Sequence, residues 1–210
     1  MGLEKITLEG KHVRLEPMAP GHHDGLCEAV SDGELWNLEV TLVPHPRDMR
    51  TFMSTAEEGF ASGRELPFVI IDKTNERVAG STRFLNIELP HKNAEIGYTF
   101  LGQGWQRTAA NTESKLLLLQ QAFDRWDLNR VQLLTDVRNE RSRNAILRLG
   151  AKAEGVLRSH MVMRGGRVRD SILFSIIAEE WPEVEKNLRQ KLASGEMRSH
   201  GVAVTDSSRG

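Results

Sequence analysis

The chain has 210 residues, 39% hydrophobic and 27% charged, which suits one globular domain with a real core and excludes a disordered protein. Its 28 Lys/Arg nearly balance 29 Asp/Glu, which argues against a dedicated nucleic-acid binder. The lone Cys27 excludes an internal disulfide and a cysteine-based zinc site and fits a reducing cytoplasm, and the longest apolar run, Leu116 to Leu119, falls far short of the ~20 residues of a membrane span.

In chain order, Val13 to Pro17 alternates and ends at proline, as a short edge strand does. Pro20 opens a helix to about Val30, and Arg47 to Ser62 reads as a second, closed by Gly63. Leu66–Asp72, Arg77–Ile87 and Asn93–Phe100 are three strands joined by short turns, hence an antiparallel meander. A long helix runs from the Gly102–Trp105 break to about Trp126, its buried face carried by Leu116, Leu119, Phe123 and Trp126. Arg130–Val137 is a strand, and Glu140–Leu149 a short helix stopped by Gly150. Ala153–Met163 and Val168–Ile177 form a hairpin turned at Gly165-Gly166, and Trp181–Leu192 is a last helix. The expected fold is a mixed, mostly antiparallel sheet with helices on its faces, one domain over residues 1–192. Residues 193–210 are polar and aperiodic, the composition of a disordered tail.

The charge is uneven. Residues 125–170 hold eleven Lys/Arg against five acids, a surplus of six, which points to an anionic, phosphate-bearing ligand. The plainer alternative is a solvated basic face. No lysine-bearing phosphate loop, His-Glu-x-x-His or Gly-x-Ser-x-Gly occurs. The adjacent His22 and His23 point apart on a helix, and the histidines make no metal constellation. What remains is a strand, a polar turn and a helix opening on Gln106, Arg107, Thr108, Ala109, Ala110 and Asn111. Amides at a helix N-terminus among small side chains form a pyrophosphate cradle.

With Glu95-Ile96-Gly97-Tyr98, Trp105-Gln106, Asn139-x-x-Ser142, Leu149-Gly150-Ala151 and Glu154-Gly155-x-Leu157-Arg158 in order, the chain resembles the GNAT N-acetyltransferases over residues 10–180. Within them it resembles the ribosomal-protein alanine and serine N-terminal acetyltransferases. The resemblance implies acetyl-CoA as co-substrate, no metal, an amine acceptor and, by analogy alone, a homodimer. It implies that Gln106 to Asn111 hold the pyrophosphate, that the backbone of Tyr98, Thr99 and Phe100 pairs with pantetheine and polarises the thioester, and that Asn139 bonds the pantetheine. Ala109 and Asn111 replace the small glycines of the family motif, and Ile146 replaces a tyrosine that protonates the leaving thiolate.

Acetyl transfer needs a neutral amine, a polarised carbonyl and a proton for the thiolate. An α-amine, pKa roughly 7.7–8.0, asks little of a base. Glu95 is the candidate base, sharing a strand face with Gly97 and Thr99 while Ala94, Ile96, Tyr98 and Phe100 take the other. Ser142 is the candidate proton donor, and Arg107, Arg143 and Arg148 are candidate phosphate ligands. The plain alternatives are an exposed strand carboxylate, a helix cap for Asn139 and Ser142, core packing for Tyr98 and Phe100, and solvated arginines. The acceptor site is expected among Trp36, His22, His23, Phe84, Arg158 and His160. The expected activity is transfer to a protein or peptide N-terminus by direct attack, with no membrane or nucleic-acid partner. A small-molecule amine and a catalytically silent acyl-CoA-binding protein are the competing readings.

Overall fold

The computed structural model describes residues 3–194. One eight-stranded sheet runs through it, in the order β1-β2-β3-β4-β5-β6-β8-β7. The strands are β1 (Leu8–Glu9), β2 (Val13–Pro17), β3 (Leu66–Asp72), β4 (Arg77–Glu88), β5 (Asn93–Leu101), β6 (Arg130–Asp136), β7 (Lys152–Val162) and β8 (Val168–Ile177). The helices are α1 (His23–Ser31), α2 (Met49–Ala61), α3 (Ala109–Gln120), α4 (Glu140–Leu149) and α5 (Trp181–Ala193). The meander β3-β4-β5 and the hairpin β7-β8 form as expected. The expected edge strand β2 is one position inside the edge, because the two-residue β1 pairs outside it. The expected tail begins at Ala193, the last residue of α5, and from residue 195 lies outside the described residues.

Two apolar clusters hold the layers together. On one face β3 and β4 side chains (Phe68, Ile70, Phe84) meet Leu116, Leu118 and Leu119 of α3, Ile146 of α4 and Leu188 of α5. On the other, Val69 and Ile71 of β3 and Phe100 of β5 meet Leu26 and Val30 of α1 and Met49 and Ala56 of α2. Helix α3 is pinned by Glu113, whose buried carboxylate accepts from the amides of Lys11, His12 and Val13 at 2.6–2.8 Å. Among the described residues no helix is long and apolar enough to cross a membrane.

The feature that positions the site is a failure of pairing. β5 and β6 run parallel and pair only from Asn93↔Arg130 to Glu95↔Gln132. Beyond Glu95 they separate, leaving a wedge between Ile96–Leu101 and Leu133–Asp136 whose backbone groups lack a strand partner on that side. On its other side β5 carries an extra residue: Arg83 pairs with Gly97 but Ser81 with Phe100, and Tyr98 takes a left-handed φ of 46°.

Candidate active site

The bulge exchanges the faces of β5 halfway along. Glu95 and Gly97 face α2 as the alternation predicts, but Tyr98 and Phe100 join them, while Thr99 turns to α3. This corrects the expected alternation, which has no place for an inserted residue. It also corrects core packing for Tyr98, which is 41% exposed, whereas Phe100 is buried. The strained bulge is held from both sides. Tyr98 lies edge-on to Phe52, and the buried Arg83 guanidinium sits 4.2 Å from the Phe52 ring and 4.7 Å from that of Tyr98. Arg83 is fixed by Glu65 and the Phe52 carbonyl, each at 3.1 Å. Beneath, the Lys115 ammonium group donates to Thr99 Oγ1 at 2.6 Å and Thr82 Oγ1 at 3.3 Å. Lys115 is buried and has no carboxylate partner among the described residues, and burial lowers its pKa to about 7.

The wedge opens into a cleft of about 1340 Å³, larger than the ~300–1,000 Å³ of an ordinary small-molecule pocket. It runs from the start of α3 and α4, through the wedge, to the α2 side of the sheet. At the first end lie Gln106, Arg107, Thr108 and Asn111; of the expected cradle, Ala109 and the buried Ala110 are not part of the cleft wall. Arg107 holds a left-handed φ of 62°, the backbone form that gathers successive amides into an anion-binding nest. Thr108 caps α3, accepting from the Ala110 amide at 3.2 Å. Arg107, Arg138, Arg141 and Arg148 line this end, and among the described residues none is ion-paired. Burial, then the neighbouring Arg107, pushes the pKa of Arg141 down, as expected of cations gathered without counter-charge. Asn139 and Ser142 line the same end. Asn139 caps α4 through the Ser142 amide at 3.0 Å, so cap and cleft wall are one residue. Arg143 departs from expectation: it lies outside the cleft wall, turned back to donate to the Val137 carbonyl at 2.9 Å.

At the α2 end Glu95 is the central group. Its carboxylate accepts from Asn86 at 3.0 Å and Gln132 at 3.3 Å. Burial raises its pKa, opposed by those two hydrogen bonds and by the charges of His160 and Arg169. His160 reaches this lobe because β7 carries two extra residues between Leu157↔Ser171 and Met161↔Arg169, with Ser159 at a φ of 52°. The other expected acceptor residues are elsewhere. Phe84 is fully buried between Phe68 and Trp126. Trp36 packs on His45, ring centres 4.7 Å apart, and the loop residues Leu38 and Val40–Val43 line the cleft instead. Arg158 faces a separate shallow depression. His22 bonds Glu16 and His23 bonds Asp24, both off the cleft. Asn86, Lys115 and Gln132 were not anticipated, and Arg138, Arg141 and Arg169 only as members of the basic stretch 125–170; for Lys115 the available signal was a charge beside the apolar run Leu116–Leu119.

An amide nest ringed by arginines that lack ion pairs among the described residues, joined through a splayed strand pair to a half-buried carboxylate, is the layout an acyltransferase needs. The comparisons agree. The profile described as acetyltransferase (GNAT) domain matches residues 12–152. The uncharacterised N-acetyltransferase p20 of Bacillus licheniformis is 27% identical over 176 residues, 83% of this chain and 98% of its own. YdaF of Bacillus subtilis, named as a candidate ribosomal N-acetyltransferase, is 29% identical over 104 residues, 50% of this chain and 56% of its own. A GCN5-related N-acetyltransferase from Brucella melitensis superposes with a TM-score of 0.81 at 30% identity, covering 95% of this chain and 93% of that one. The chain belongs to the GNAT acetyltransferase family, whose members use acetyl-CoA.

Proposed function

We propose that this acetyltransferase moves the acetyl group of acetyl-CoA to the α-amine of a protein or peptide N-terminus, by direct attack in a ternary complex. The observation that carries the reading is the acidic inventory of the acceptor lobe. Of the carboxylates lining it, Glu65 is ion-paired with Arg83 at 3.1 Å, and Glu95 has only neutral hydrogen-bond partners. One available carboxylate suits one amine. A polyamine or aminoglycoside site would need several. An α-amine with pKa of roughly 7.7–8.0 is already substantially neutral near pH 7, so a carboxylate acting through one water is base enough.

The cofactor fits the other half. The nest at Arg107 and the first turn of α3 would hold the pyrophosphate, with Arg138, Arg141 and Arg148 around it. The unpaired β5 edge at the bulge would present donors to the thioester oxygen. Cys27 lies off the cleft, which supports direct attack without a covalent enzyme intermediate. The ribosomal-protein motifs around Glu95, Asn139 and Glu154 support a protein substrate.

The test is thiol release from acetyl-CoA with peptides beginning Ser, Ala or Met, N-blocked lysine peptides, polyamines and aminoglycosides. Turnover of free N-termini alone is expected. Turnover of polyamines alone would sink the reading, and tight acetyl-CoA binding without any turnover would favour the silent binding protein.

A further inference from the structure

The acceptor lobe holds a charged group that acetyl transfer itself does not use. Arg169, on β8, is 7% exposed and lines the cleft. Its Nε donates to Ser171 Oγ at 2.8 Å, and among the described residues its guanidinium makes no ion pair. Asp136, the nearest source of opposite charge, is occupied: it accepts from Arg167 and from the Arg138 amide. A guanidinium carries five N–H donors, so the terminal groups of Arg169 remain for whatever enters the cleft. Burying such a cation without a counter-charge is costly, and a ligand that supplies the counter-charge recovers that cost.

His160 extends the same patch. Ser171 Oγ accepts from Arg169 Nε and lies 2.9 Å from His160 Nδ1, a contact whose donor depends on the imidazole tautomer. The patch shares a sheet face with the base. The pairs Asp136↔Ser171, Leu134↔Leu173 and Gln132↔Ser175 carry Arg169, Ser171 and Leu173 onto the face of Gln132, beside Glu95. Glu95 and Arg169 feel each other's charge across the lobe.

We propose that Arg169, with His160 beside it, binds a carboxylate that the acceptor carries close to its reacting amine. The carboxylate belongs either to an acidic residue just behind a peptide N-terminus or to a free amino acid. The inference rests on reading the Glu95 lobe as the acceptor side of an acetyltransferase. Opposite charges on the two sides of the lobe then orient the acceptor, amine toward Glu95 and carboxylate toward Arg169.

Two matched pairs test it: Ser-Asp-Ala amide against Ser-Asn-Ala amide, and serine against serinamide. Acetylation is followed by thiol release, and binding of the same compounds to the CoA-saturated protein by calorimetry, which needs no turnover. The carboxylate member of at least one pair should be favoured by about tenfold to a hundredfold, the worth of charge-assisted hydrogen bonds. Arg169→Gln should erase that preference, read as the ratio between the two members so that any common change in rate from the charge lost beside Glu95 cancels, whereas a merely structural arginine would weaken both alike and leave the ratio intact. Arg169→Lys, which keeps the charge but loses the fork, should retain part of it and carries the test if the glutamine variant does not fold. Discrimination in the serine pair with no peptide turnover keeps the carboxylate site and overturns the N-terminal substrate. Equal turnover of both peptides and no discrimination in either pair does the reverse. Binding of neither pair, or equal loss for both members in Arg169→Gln, overturns the inference.

Discussion

The two halves of the cleft are built in different ways. The cofactor half is local: Gln106 to Asn111 and Asn139 to Ser142 are two short runs, each at the entrance of a helix. The acceptor half is assembled from β4, β5, β6, β7 and β8, and most of its side chains depend on a partner on another strand or segment. Its carboxylates Glu65 and Glu95 are ion-paired or held by amides, and Arg169 is its cation without an ion pair on the sheet, whereas four arginines of the cofactor half lack ion pairs among the described residues. A phosphate site needs only amides and spare positive charge, which a helix start and a few arginines supply. An acceptor site must place single groups, and a packed sheet with bulges does that.

The largest effect is expected at the junction of the halves. Glu95→Gln should lower kcat by about a hundredfold or more, the worth of a general base, with the KM for acetyl-CoA little changed. In the wild-type enzyme activity should fall with acid as Glu95 takes up its proton, at a pH above the ordinary glutamate range. Stability moves the other way. A carboxyl whose pKa is raised by folding loses its proton first in the unfolded chain, so its ionisation costs stability as pH rises. Glu95→Gln should therefore melt higher than wild type at pH 7, an advantage that shrinks as pH falls through the raised folded pKa and is gone below about pH 4, where the carboxyl is protonated in both states. Loss of activity without that gain would remove Glu95 from its buried setting.

The cofactor half should respond in KM alone. Arg141→Gln is expected to raise the KM for acetyl-CoA roughly tenfold at low salt and less at high salt, with kcat preserved. Arg143→Gln, whose guanidinium serves the Val137 carbonyl, should leave that KM unchanged. Equal effects would erase the distinction between the two arginines. Lys115 sharpens the comparison from below the bulge. Its folded pKa of about 7 lies below the ~10.4 of a free lysine, so the unfolded chain holds the extra proton between them. Wild-type stability should gain from this site as pH rises from about 7 to ~10.4 and lose it again on the way down. Lys115→Met should flatten that rise, measured by denaturant titration across the window, and cost kcat a few-fold by loosening Thr99.

The same contrast explains what could be read beforehand. The meander, the hairpin turn at Gly165-Gly166 and the helix stop at Gly150 follow from local patterning, and the cofactor motif follows from a resemblance that is itself local. Phe84 and Trp36 are expected among the acceptor linings, but nothing in the chain shows which face of β4 meets the cleft. The alternation of β5 reads correctly to Gly97 and then inverts, because one inserted residue exchanges every later side chain. Arg83 and Glu65 are 18 positions apart, Gln132 and Glu95 37, and no spacing rule joins them. The basic stretch 125–170 resolves only in three dimensions. Arg130, Lys152 and Arg167 are ion-paired, while Arg138, Arg141 and Arg148 face the cofactor end.

The smallest effect is expected at Ser142, where the two halves need each other least. Its hydroxyl lines the cleft at the first turn of α4, and its amide is already satisfied by Asn139. One turn on, Ile146, which the resemblance aligns with the family's tyrosine, is 6% exposed where the apolar core meets the cleft and offers no donor. A free thiol has a pKa of about 8.5, so a departing thiolate is a weak base near neutral pH and gains little from immediate protonation. Ser142→Ala should therefore lower kcat by less than about fivefold with a peptide acceptor, well below the general-base effect at Glu95. A loss approaching that of Glu95→Gln would mean that thiolate departure limits this enzyme, and would move the proton donor from solvent to Ser142.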